Sequence, residues 1–450
     1  MKDATSLAAE IAAGTLSATA CMDASLAAAQ AHAALGAIAR IEPEMGREAA
    51  RLADTVPADQ RGPFHGVPFL AKDLGAHARG LAPAAGNPVL RERYSDPSAD
   101  DDLFARFRAS GLLPFGLTTV PEFGLALTSE PPETVPACNP WNLSYSPGGS
   151  SGGAAATVAA GIVAIAHATD AAGSIRVPAA CCGLIGLKPS RDRSPGGPSF
   201  LNHLMGIASQ LVLARSVRDV ATAFHAVKTC RGRSERPVKR IGLAISPRCS
   251  DATNAKTEQA AKLFSALGYQ VTTISSLDGL GLEAHRLARL VFRVGLANWL
   301  GLESLGKGQV TPVAFAIAEE GRALAPTEIY TLSKDLARFT YQADQLFDDI
   351  DAILCPVPAD GPPRIGALDP NQTDPEERFE QMEAIAPNVA LANAGGLPAI
   401  AMPFGMMEDM PFGVQLFGPQ GADEDLLAVA AAFQAAAPTL AFPHPIAGLS

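Results

Sequence analysis

The sequence predicts an α/β fold, a β-sheet covered by helices on both faces. Three observations predict it. Segments of strand character alternate with helical segments along most of the chain. The stretch 240–275 shows that alternation in its simplest form: a strand over 240–246, a helix over 254–267 and a strand over 269–275, the pattern of a βαβ unit. The chain can also fill a large core, with 450 residues of which 48% are hydrophobic and 18% charged. Its length allows two or three domains at roughly 100–200 residues each, but α/β enzymes often exceed that as one unit.

Taken in order, residues 1–60 form an N-terminal helical arm, with alanine-rich helices over 6–12 and 17–34. A glycine/proline loop over 62–68 leads into an apolar strand over 67–72. Residues 100–110 are helical, 112–117 form a strand and 118–121 a turn. The proline-rich stretch 130–147 has no period and reads as a long ordered loop. An alanine run over 154–160 is a short helix, 162–167 a buried strand and 169–174 a tight turn. A helix over 215–227 opens on Ser216, a favoured N-cap residue. The stretch 282–349 is mostly helical, broken by glycine and proline at 306–312 and 325–326, and forms a lid or pocket wall. A strand over 352–355 ends at Pro356. A helix over 377–393, paired strands over 397–404 and 412–417, and a closing helix over 425–435 complete the chain.

Composition narrows the function. The net charge is −11, with 35 basic against 46 acidic residues and no basic run, which disfavours nucleic acid as a partner. Seven cysteines are present: Cys181 and Cys182 adjacent, and Cys21, Cys138, Cys230, Cys249 and Cys355 scattered. No CxxC pair occurs, so neither a zinc site nor a disulfide framework is expected, and reduced thiols fit a cytoplasmic protein. Asp3 and Glu10 sit where a signal peptide would be apolar. The longest weakly polar run, 153–167, is too short for a membrane span.

Chemistry concentrates in residues 147–190. Gly148, Gly149, Ser150, Ser151, Gly152 and Gly153 place two serines between paired glycines, where the backbone can turn steeply and expose its N–H groups. A second serine-bearing turn ends on Ser174. A flexible linker does not run directly into apolar strand sequence, and a P-loop would continue with Gly-Lys-Ser/Thr. A catalytic serine remains open on this pattern alone. Lys72 ends the strand over 67–72, where a lysine usually reaches out to solvent and less often is a buried functional group. None of the eight histidines falls in the serine turns, and His167 suits a core role. Cys181 and Cys182 have no base nearby and make poor candidate nucleophiles.

This block resembles the signature of the amidase signature family. Asp170, Gly173, Ser174, Ile175, Arg176, Pro178, Cys182, Gly183, Gly186, Lys188 and Pro189 fall on its fixed positions, and the resemblance extends from about Gly62 to the last helix. The Asp-Ala-Ala-Gly-Ser form resembles the branch that includes 6-aminohexanoate cyclic-dimer hydrolase. The resemblance implies a single large α/β domain with a central mixed, twisted sheet, its core with the signature spanning 62–230. It also implies Ser174 as nucleophile, Ser150 as proton relay after a cis Gly149–Ser150 peptide, and Lys72 as base. The family spacing selects Ser150 over Ser151, which becomes a structural hydrogen-bonder or helix cap.

These roles make chemical sense together. A serine hydroxyl needs a base to become nucleophilic. A lysine can be that base if burial keeps it neutral, and a hydroxyl between the two passes protons both ways, a variant of nucleophile–base–orienter logic. The N–H groups of Ala171, Ala172, Gly173 and Ser174 would form the oxyanion hole, although Ala168 and Ala172 stand where the commonest family pattern has glycine. Asp170 and Arg176 are expected to pair and hold the turn.

The implied reaction is hydrolysis of a carboxylic amide, linear or cyclic, through an ester at Ser174, with a small-molecule amide as substrate. No cofactor, metal, nucleic acid or membrane is implied, and a homodimer is left open. The segment 123–129, with Leu125, and the helical stretch bearing Leu290, Val291, Phe292 and Phe315 are expected to build an apolar acyl pocket, though core packing would explain the same residues. Two alternatives stand beside this reading. One is an A-type amidotransferase subunit releasing ammonia from glutamine in a tRNA-dependent complex, which the acidic chain argues against. The other is a scaffold that has lost activity, which the presence of Lys72, Ser150 and Ser174 argues against.

Overall fold

The computed structural model describes residues 2–132, 134–229 and 237–449, so Cys230, at the end of the expected core segment, lies outside the described residues. Eleven strands form one sheet: β1 (Ile38–Ile41), β2 (Val67–Lys72), β3 (Leu112–Thr118), β4 (Ile165–Asp170), β5 (Ile185–Lys188), β6 (Ser209–Ala214), β7 (Arg240–Leu243), β8 (Gln270–Thr273), β9 (Ala352–Pro356), β10 (Ala399–Met407) and β11 (Met410–Phe417). Their spatial order is β1-β3-β2-β4-β6-β5-β10-β11-β9-β7-β8. The sheet is mixed. β3, β2 and β4 run parallel, as do β9, β7 and β8, and the pairs linking these two groups through β6, β5, β10 and β11 are antiparallel.

The central strands are buried along their whole length because helices cover both faces, and they are apolar except towards their C-terminal ends and at His167. Every residue of β2, β3 and β4 is buried. Pro68 is tolerated in β2 because β2 meets β4 at Leu70↔Ala166, so the proline, which lacks an N–H, lies outside that ladder. The helix Gly152–Ala159 is built almost entirely of glycine and alanine and is buried throughout, which brings the serine turn before it close to the sheet.

The expected helices and strands are largely present, with corrections. The N-terminal arm is not purely helical. After Ala4–Ala12 and Ala18–Ala31 it contributes β1 to the sheet edge and then the helix Pro43–Asp54. A four-residue edge strand, half-buried throughout, is too short to show a period. β4 begins three residues later than expected, because the turn after Gly161 takes up Ile162 to Ala164. The helix expected over 377–393 is two, Pro375–Ile385 and Ala390–Ala394, separated around Pro387. β5, β6 and the helix Arg176–Cys182 had no expectation at all. In that helix Pro178 sits in the first turn, where its missing N–H costs no hydrogen bond. No helix among the described residues is long and apolar enough to cross a membrane.

The stretch 282–349 forms three helices, Asp278–Leu302, Pro312–Ala323 and Pro326–Asp344, broken at the two places the sequence marks. The first two pack closely at Gly321, where a Cβ would lie 2.0 Å from Arg293 O. Gly321→Ala is therefore expected to force these helices apart and to cost about 1–3 kcal/mol, the range for overpacking, read as a lowered urea midpoint.

Candidate active site

β2 and β4 lie side by side and bring their ends together. Lys72 closes β2 and is fully buried. Its Nζ donates to Ser150 Oγ at 2.8 Å and to Thr169 Oγ1 at 2.7 Å. Its main-chain N–H donates to His167 Nδ1 at 3.3 Å, so His167 has the structural role expected of it. Burial lowers the pKa of Lys72 to about 7, with Asp170 opposing the shift in part. The same burial, helped by the charge of Lys72, takes His167 down to about 3. Thr169 was present in the motif but carried no assignment. No local signal marks it as a partner of Lys72, which lies 97 positions away and meets it only where β2 and β4 pair.

Ser150 sits in the glycine/serine turn. The Gly149–Ser150 peptide is cis. A Cβ on Gly149 would lie 2.2 Å from Thr128 O, so only glycine fits there. Ser151 is a structural hydrogen-bonder: its hydroxyl donates to Thr169 O at 3.1 Å and accepts from Thr169 N–H at 3.3 Å. It occupies the N-cap position of Gly152–Ala159, but its side chain makes no capping bond.

Ser174 lies on the turn after β4 and is 7% exposed. Its hydroxyl makes no hydrogen bond among the described residues, so the expected Ser174–Ser150 link is not formed in this structure. The turn is held by Asp170. Its carboxylate accepts from Gly173 N–H at 2.7 Å and Ile175 N–H at 3.1 Å. It also pairs with Arg176, Nε to Oδ2 at 3.0 Å and Nη2 to Oδ1 at 3.1 Å, both side chains fully buried. Burial would raise the carboxyl pKa, but Arg176 outweighs it and holds Asp170 well below the usual carboxylate range. This is the turn-holding pair the sequence suggested.

Gly173 adopts φ +106°, open to glycine, and its N–H is committed to Asp170. That removes Gly173 from the expected oxyanion donors. The N–H groups of Ala171, Ala172 and Ser174 have no acceptor among the described residues. Cys181 and Cys182 are buried with thiol pKa values pushed up by burial, Cys181 to about 12, which suits inert core residues.

A cavity of about 680 Å³ adjoins this cluster. Leu74, Phe123 and Leu125 line it, and Leu74 and Ser150 both flank Gly124, whose Cβ position is 2.8 Å from Leu74 Cδ2 and 3.3 Å from Ser150 Oγ. Of the expected pocket residues, Phe123, Leu125 and Phe292 line the cavity, while Leu290, Val291 and Phe315 do not. Leu127 and Phe292 instead border a narrow crevice against Ala172. The sequence reading missed the far wall, residues 199–205, and Trp299. There Phe200 stacks on His203 at 4.4 Å, and Trp299 stands edge-on to Phe123 at 5.2 Å.

Arg176→Met would leave Asp170 buried without its cation. We expect a loss of about 3–5 kcal/mol in urea unfolding, much of it recovered in the double variant Asp170→Asn/Arg176→Met.

Known proteins share this fold. The profile of the family described as Amidase matches residues 20–271 and 302–427. The putative amidase AmiC of Mycobacterium tuberculosis is 31% identical over 475 residues, covering 97% of this chain and 94% of that protein. The 6-aminohexanoate-cyclic-dimer hydrolase of Paenarthrobacter ureafaciens is 31% identical over 500 residues, covering 98% and 96%. A solved structure of 6-aminohexanoate cyclic dimer hydrolase complexed with substrate superposes with a TM-score of 0.89 at 28% identity, covering 99% of each chain. Relatives named as amidases and hydrolases do not favour the amidotransferase alternative. The chain belongs to the Amidase family and is an amide-hydrolysing enzyme.

Proposed function

We propose that this enzyme cleaves a small carboxylic amide by acylating Ser174, with Ser150 as relay and Lys72 as base. The observation that carries the reading is the wholly buried Lys72 ammonium site bonded to Ser150 Oγ at 2.8 Å. With a pKa of about 7, Lys72 is neutral often enough near pH 7 to accept a proton. It takes one from Ser150 as Ser150 takes one from Ser174, and Ser174 Oγ attacks the amide carbon. The Ser174–Ser150 contact closes when substrate is bound, since catalytic hydrogen bonds are often open in the free enzyme.

The developing oxyanion is received by the unengaged N–H groups of Ala171, Ala172 and Ser174, which sit on a turn already fixed by Asp170. Ser150 then returns its proton to the leaving amine nitrogen. Water enters by the same route and hydrolyses the ester, releasing the carboxylate. Leu125 and the aromatic walls of the cavity receive an apolar part of the substrate, linear or cyclic. The helices from 278 to 344 act as a pocket wall through Phe292 and Trp299. We place the protein in the cytoplasm, in keeping with its scattered cysteines.

The deciding experiment is the pH dependence of kcat/KM in wild type and two variants. Activity should rise as pH increases through about 7, because lowering the pH protonates the base. His203, held at about 4 chiefly by burial, stays neutral across that range and adds no limb. Lys188, also near 7, titrates in the same window, so the variants are needed.

Lys72→Arg should lose about 10²–10⁴-fold in kcat, since arginine stays charged and cannot act as base. Wild-type turnover in that variant would refute the assignment. Ser174→Ala should abolish both hydrolysis and labelling by a fluorophosphonate probe, and retained labelling would move the nucleophile elsewhere.

A further inference from the structure

The cavity beside Ser150 is uneven in charge. Phe123, Phe200 and Trp299 make its body aromatic. Among the described residues, no lysine or arginine lines it, and Glu303 is the single carboxylate that does. Glu303 follows the helix Asp278–Leu302, whose last carbonyls concentrate negative potential at the same end of the cavity. Its carboxylate enters no ion pair among the described residues. The nearby Arg93 donates Nη1 to the main-chain oxygen of Glu303 at 2.9 Å instead. Tyr94 lines the cavity beside it, and its pKa is raised to about 12 by burial and then by Glu303, so the phenol keeps its proton.

A polar network borders the cavity as well. Ser199 donates to Asp101 Oδ1 at 3.1 Å, which leaves Ser199 Oγ to accept from His77 Nδ1 at 3.3 Å. The His77 main-chain N–H is tied to Asp101 Oδ2 at 2.8 Å. His203 is neutral and contributes no positive charge. A carboxylate, a helix C-terminus and aromatic faces together suit a cation.

We propose that the cavity selects amides carrying a cationic amine on the part that fills it, with Glu303 as counter-ion. The inference rests on the reading of Ser174 as nucleophile and adds the substrate class.

The test compares kcat/KM for two probe series. One is ω-aminoacyl amides of four to eight carbons, and the other N-(ω-aminoalkyl) acetamides. Each probe is set against the neutral alkyl compound of equal length. In at least one series the wild type should prefer the cationic member by about tenfold or more, as for a hydrogen bond to a charged group. Glu303→Gln should bring that ratio close to one, and Glu303→Asp should keep part of it. The ratio is taken within each variant, so a partly misfolded preparation does not distort it.

No preference in either series, or a preference that survives Glu303→Gln, overturns the inference. So does a lack of turnover of every probe while the fluorophosphonate still labels Ser174. Loss of labelling in the wild type would instead overturn the nucleophile assignment beneath it.

Discussion

One buried carboxylate holds the active turn together. Asp170 binds two turn N–H groups and the guanidinium of Arg176, and accepts from Asn393 Nδ2 at 2.9 Å. Arg176 in turn donates to Gln415 Oε1 at 2.8 Å in β11 and to Asn393 Oδ1 at 2.6 Å. Two distant parts of the chain, at Asn393 and Gln415, are thereby tied to the residue that ends β4. A buried ion pair of this kind is weak as a source of stability, because desolvation offsets most of the attraction. Its value here is geometric: both carboxylate oxygens and the guanidinium are engaged by several fixed partners at once, which holds the turn in place.

The second constraint is electrostatic. Lys72 must be kept from water to be a base, yet a buried amine needs hydrogen-bond partners. The structure meets both demands with neutral hydroxyls, Ser150 and Thr169, which satisfy the amine without favouring its charged form as a carboxylate contact would. Asp170 is near enough to oppose the shift, but its charge is already engaged by Arg176. The two constraints are therefore linked. If Asp170 were unpaired, its full charge would draw a proton onto Lys72.

Much of this was legible in the sequence. The serine turns, the lysine at the end of β2 and the helix breaks near 306–312 and 325–326 all leave local marks, in glycine, in proline, or in a charge where an apolar strand should end. Other features leave no such mark. β1 and β5 are four residues each, too short for a period, and the apolar end of β6 is a short run where strand and helix look alike. Thr169 and Asn393 gain their roles only when separate elements meet. The commitment of the Gly173 N–H to Asp170 is likewise a matter of backbone direction, which the motif does not encode. The cavity walls were half visible. Phe123, Leu125 and Phe292 stood out as apolar, whereas 199–205 has mixed polarity and joins the cavity through tertiary placement alone.

The bond from Lys72 to Thr169 spans 97 positions, and that from Lys72 to Ser150 spans 78. A lysine on an unfolded chain titrates near ~10.4 and carries its proton at neutral pH. Its pKa falls towards 7 only when β2 and β4 have closed over it and water has left. Contacts so far apart in sequence form late, after the local helices. On the proposed mechanism, the proton acceptor of the centre is thus a product of tertiary closure between β2 and β4 and is absent from the unfolded chain.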